Sequence, residues 1–177
     1  MYRILAALLL SIICAAANAS VVFFAVAVAA DEAELLVKDE PRILEALERS
    51  NGSVLALDKA WHGLHFLLTG SASSTDGPMG QAILGGRAVG KDFGYGPARI
   101  VSAGQVRSIA RALQGLNPAA LAGKYDPQAM QHAEVYPSIW TREGQEGFRF
   151  LMNYLPALQA FYEKAAESGL AVVVVLR

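Results

Sequence analysis

Apolar residues are arranged along this chain in contrasting patterns, and each pattern predicts a different element. Residues 21–28 (VVFFAVAV) and 171–176 (AVVVVL) show no polar alternation. A strand with one wet face alternates polar and apolar side chains, so these runs fit strands covered on both faces. Both are expected inside one sheet, central and adjacent.

Elsewhere the period is helical. Leu57, Ala60, Trp61, Leu64, Leu67 and Leu68 fall on one face of residues 55–69 and predict a single amphipathic helix. Val106, Ile109, Ala110 and Leu113 predict another over residues 103–114, opened by Ser102 and Gln105 at capping-box spacing and stopped by Gly115. A long apolar stripe from Phe148 to Tyr162 predicts a last helix over residues 145–167. Pro156 should kink it, because its ring removes a backbone hydrogen bond and clashes with the preceding turn. Asp31, Glu32 and Glu34 favour a helix start after the first strand. A short helix from Asp39 accommodates Pro41 in its first turn and ends at Asn51-Gly52. Asn117-Pro118 and Asp126-Pro127 predict two further capped turns. The glycine-rich residues 70–97 read as loop, with a short strand or hairpin arm at 82–84. The sum is an α+β protein: helices around one small mixed sheet, in a single domain over residues 20–177. The chain is too short for two ordinary domains.

The first apolar stretch changes the picture. Arg3 precedes the apolar residues 4–14, and Ala17-Asn18-Ala19 offers small residues where a signal peptidase reads, so residues 1–19 fit a cleavable export signal ending before Ser20. The competing reading is an uncleaved membrane anchor, since residues 4–30 carry no charge and exceed the roughly 20 residues that span a bilayer. Cys14 is the one cysteine. Cleavage would leave a body with no disulfide, stabilised by its core alone. The formal charge of −1 becomes −2 without Arg3, the sole charge in residues 1–19. With both signs interspersed, no electrostatic footprint for nucleic acid or anionic lipid is present.

Candidate chemistry is sparse. Asp58, His62 and His65 stand at i, i+4 and i+7 of the expected 55–69 helix, one stripe carrying a carboxylate and two imidazoles. That set can ligate zinc or iron, or serve metal-free acid–base chemistry. The plainer reading is an Asp and two His tying loop backbone to the helix. Gly94-Tyr95-Gly96-Pro97-Ala98-Arg99 predicts a tight bend presenting an aromatic ring and a guanidinium: either a contact surface, or a structural turn with Arg99 paired to Asp58 or Asp92. Tyr136-Pro137-Ser138-Ile139-Trp140 sets two large aromatics about a proline, as an interface anchor or as a lid on the core. The serine-rich loop after Gly70 lacks a nucleophile elbow, and no phosphate loop or cofactor motif occurs.

Together, the segment from Leu57 through Trp61-His62-Gly63-Leu64-His65 to Gly70, the Gly94 to Arg99 turn and the Tyr136 to Trp140 segment resemble the YfbM-like family, domain-of-unknown-function family 1877. The likeness runs over residues 21–176. It implies a small bacterial α+β domain with no established activity and no catalytic residues to carry over. Members of that family usually begin at the first strand, so a leader joined ahead of it is a departure. The expectation is an exported, cofactor-free binding or interaction protein of the cell envelope, immunity-like proteins that block a toxin included, with another protein as partner. The alternative is an enzyme using Asp58, His62 and His65 with Arg99 as an anion clamp.

Overall fold

The computed structural model describes residues 20–49 and 53–177. Five strands form one sheet in the order β2-β1-β5-β4-β3: β1 Phe23–Val28, β2 Val54–Asp58, β3 Arg87–Asp92, β4 Pro97–Val101 and β5 Ala171–Leu176. The two runs without polar alternation, β1 and β5, pair side by side over their whole lengths, from Phe23 opposite Leu176 to Val28 opposite Ala171. Every pairing is antiparallel, so the expected mixed sheet is corrected. The chain supplies two hairpin-like pairs, β1–β2 and β3–β4, and β5 enters between them.

Both faces of this sheet are covered, which explains the composition of its middle strands. Phe23, Ala25, Val172 and Val174 point into the larger core, while Val26, Val28, Val173 and Val175 point into a smaller one. The smaller core is closed by α1 Ala30–Leu36 and α2 Glu40–Leu47, through Ala33, Leu36, Ile43 and Ala46. Pro41 lies in the first turn of α2, where its missing N–H costs no helical hydrogen bond. The Asn51-Gly52 stop lies outside the described residues.

The larger core packs under α3 Trp61–Thr69, α4 Gly77–Gln81, α5 Ala103–Leu113, α6 Pro118–Ala122, α7 Pro127–His132, α8 Trp140–Glu143, α9 Gln145–Met152 and α10 Leu155–Glu167. Ser102 and Gln105 form the full capping box at the start of α5. Asn117 and Asp126 cap α6 and α7 with their side chains. Past the other end of α5, Gln159 of α10 donates to the carbonyls of Leu113 and Leu116 at 2.9 Å each, tying the turn that follows the helix to α10.

Three further expectations are corrected. The single helix over 55–69 is a strand followed by a helix, because Leu55 and Leu57 alternate with exposed Ala56 and Asp58 along the edge of β1. Residues 82–84 form a turn after α4, and the hairpin arm lies later, at β3. Pro156 does not kink one helix. The helix breaks at Asn153-Tyr154, and Pro156 sits in the first turn of α10.

Candidate functional site

The strand at β2 takes Asp58 out of the proposed His stripe. Asp58 ends the strand at φ 44°, the left-handed region that a short polar side chain tolerates better than most, and this turns the chain into α3. Its carboxylate is exposed beside Tyr154, whose phenol is pushed up by burial first and by Asp58 second.

His62 and His65 remain on α3, but neither is available for chemistry. The backbone N–H of Tyr136 donates to His62 Nδ1 at 3.0 Å, so that nitrogen carries no proton. His62 Nε2 then donates to the Ala72 carbonyl at 2.8 Å. Burial lowers the ring's pKa, with the Ala72 carbonyl opposing, and the neutral imidazole is fully used in joining α3 to two loops. His65 is completely buried, and neither ring nitrogen has a hydrogen-bond partner. Burial, then the neighbouring His62, brings its pKa down to about 4. The nearby Ser74 backbone pulls the other way without reaching hydrogen-bond geometry. Among the described residues no group of three or more His, Cys, Asp or Glu side chains could hold a metal ion. The metal reading of Asp58, His62 and His65 is therefore corrected to a structural one.

The aromatic residues beside His62 serve the fold too. Trp61 stacks on His62 with ring centroids 4.6 Å apart and planes 4° from parallel. Its Nε1 donates to the Val21 carbonyl at 3.1 Å, and the Val21 N–H donates to the Tyr136 hydroxyl at 3.1 Å. The two aromatics thus hold both backbone groups of the residue that leads into β1. Trp140 is completely buried and donates from Nε1 to the Val135 carbonyl at 2.6 Å. A Cβ built on Gly63 would lie 2.5 Å from the Trp140 ring, so α3 passes close enough to require glycine there. Of the two readings for the Tyr136 to Trp140 segment, the lid fits its geometry.

Tyr95 and Arg99 lie elsewhere. From β2 to β4 is three inter-strand steps, about 14 Å, so the seven candidate residues form two groups and not one patch. At the β3–β4 turn, Asp92 Oδ1 accepts from the N–H groups of Gly94 at 2.6 Å and Gly96 at 3.0 Å. Both glycines have positive φ, which leaves Tyr95 between them at the tip, 46% exposed. The expected pairing of Arg99 with Asp58 or Asp92 does not occur: Asp58 is across the sheet, and Asp92 is engaged in the turn. Arg99 is half-buried on β4, opposite Val174, and no carboxylate among the described residues pairs with it.

Arg99 borders two clefts. One is a shallow depression shared with Tyr95, Pro97, Ile83 and Leu84. The other is a cavity of about 340 Å³ whose walls include Thr75, Gln81, Gly86 and Gln105. Sequence reasoning missed Gln81 and saw Gln105 only as a cap. The available signal was Arg99 itself, a charge placed among buried Ala98, Ile100 and Val101. A wider groove of about 500 Å³ between α5 and α10 has Arg107, Arg111, Glu163 and Glu167 on its walls, charges of both signs.

An antiparallel five-stranded sheet with two small helices on one face and the remaining described helices on the other defines an α+β domain. The family described as "Domain of unknown function (DUF1877)" matches residues 20–175, and this chain belongs to it. A crystal structure of YfbM from Escherichia coli, titled a protein of unknown function, is similar in fold, with a TM-score of 0.68 and 22% identity. The likeness covers 89% of this chain and 99% of that one. No curated protein matches the chain.

Proposed function

We propose that this chain is an exported bacterial protein that acts by binding rather than by catalysis, with its contact surface at the β3–β4 turn. The observation that carries this reading is the pairing of an exposed Tyr95 with an Arg99 that has no carboxylate partner among the described residues, on a turn braced by Asp92. Tyrosine and arginine dominate contact energetics because they combine large apolar area with directional donors. The enzymatic alternative needs Asp58, His62 and His65 to converge, whereas His62 is spent on backbone, His65 is sealed in the core and Asp58 faces Tyr154. Export rests on the leader-like composition of residues 1–19, and the family match beginning at residue 20 supports it.

Two measurements test the proposal. Crosslinked capture from an envelope extract of the producing cell should recover a binder that Tyr95→Ala and Arg99→Ala lose at unchanged melting temperature. Recovery of identical material by all three proteins overturns the contact assignment. N-terminal sequencing of the protein purified from its native cell should begin at Ser20, and a start at Met1 overturns the cleavage.

A further inference from the structure

The cavity beside Arg99 has a built-in polarity. The Ser102 N–H can only donate, and it donates to Gln105 Oε1 at 2.9 Å, which fixes the orientation of that amide. Gln105 Nε2 is therefore the donor to Gln81 Oε1 at 3.2 Å, which in turn fixes the second amide. Gln81, which lines the cavity, thus keeps its Nε2 N–H groups as donors. Arg99 brings up to five further N–H donors, none committed to a carboxylate among the described residues. Thr75 contributes a hydroxyl. Arg87, also at the rim, is paired with Glu34, and among the described residues no Asp or Glu lines the cavity. A helix cap thus orients a two-amide relay that ends in a Gln81 donor group, on a residue lining an open cleft beside a cation.

We infer that this cavity binds a small polar organic anion through a carboxylate or phosphate group, with Arg99 supplying the charge and the Gln81 amide a neutral donor. A guanidinium fork matches the paired oxygens of either group, and at about 340 Å³ the space suits a small molecule, being near the lower end of ligand pockets. The inference rests on reading the Tyr95–Arg99 end as the contact surface, and it names the chemistry that surface takes up.

The test is calorimetric titration and thermal shift with inorganic phosphate, glycerol 3-phosphate and succinate, each at matched ionic strength against chloride. At least one probe class should bind saturably and raise the melting temperature. Binding of the phosphates only assigns a phosphoryl group, and binding of succinate only assigns a carboxylate. Arg99→Gln should weaken binding about tenfold or more, the loss expected for a charge-assisted contact. Gln81→Leu should weaken it less, and exposed Arg142→Gln on α8 should leave it unchanged. Should Arg99→Gln fail to fold, Arg99→Lys, which keeps the charge and loses the fork, and Gln81→Leu carry the comparison. Binding no better than in chloride, or binding indifferent to every one of these cavity variants, overturns the inference. Capture of an envelope binder through Tyr95 with no probe bound would also overturn it, while leaving the contact surface in place.

Discussion

Lowering the pH toward 4 asks the unfolded chain to take up a proton that His65 refuses while folded. The unfolded imidazole titrates near 6.5, whereas the buried ring holds out until about 4. The folded pKa is depressed, so the stability tied to the neutral ring is fully present above pH 6.5. It is lost as the pH falls through the interval down to about 4. The gap is worth about 3 kcal/mol over that window, a large part of the roughly 5–15 kcal/mol that holds a typical domain folded. Leucine at this position removes both unpartnered nitrogens and cannot titrate. At neutral pH His65→Leu should equal or exceed the wild type by about 1 kcal/mol, since the buried polar atoms it deletes were making no hydrogen bonds. Urea unfolding followed by circular dichroism at several pH values between 7.5 and 4 gives both stabilities. Every other titratable group is common to both proteins, so its contribution largely cancels in the difference. The variant's advantage should widen by about 3 kcal/mol across the window. Parallel curves would refute the burial argument, and a loss above about 2 kcal/mol at neutral pH would show that the ring nitrogens are satisfied.

Two smaller perturbations read other parts of the core. Gly63→Ala places a methyl 2.5 Å from Trp140 and 2.7 Å from Leu151, so denaturant titration should show a loss of about 1–3 kcal/mol from overpacking, and a neutral result would show that Trp140 yields. Tyr162→Phe strands the Ala82 carbonyl, which accepts from the buried hydroxyl at 2.6 Å; a cost of about 1–2 kcal/mol is expected by the same titration, with no change in secondary structure.

The buried middle of the sheet was legible because β1 and β5 have no polar face, which leaves a strand no exposed position to occupy. The caps of α5, α6 and α7 were legible because their chemistry is local: a side chain and the N–H two or three residues on. Residues 55–58 were not, since Leu55 and Leu57 satisfy a two-residue period and, with Ala60 and Trp61, a helical one. Only the pairing with β1, a tertiary fact, decides between them. That one misreading also produced the Asp58, His62, His65 stripe, because the left-handed turn at Asp58 destroys the spacing on which the stripe depended. Arg99 was legible as a residue but not as a site, for its neighbours Gln81 and Gln105 come from different helices and meet only in three dimensions.

The last strand carries a consequence for how the molecule is made. β5 is the seam joining the β1–β2 pair to the β4–β3 pair, and it follows the other four strands in chain order. Both of its neighbours precede it in the chain, so the five-stranded sheet cannot close until β5 has been made. Removing residues 171–177 should therefore leave the β1–β2 and β3–β4 pairs unjoined within the sheet, and circular dichroism of the shortened protein should show lost strand content.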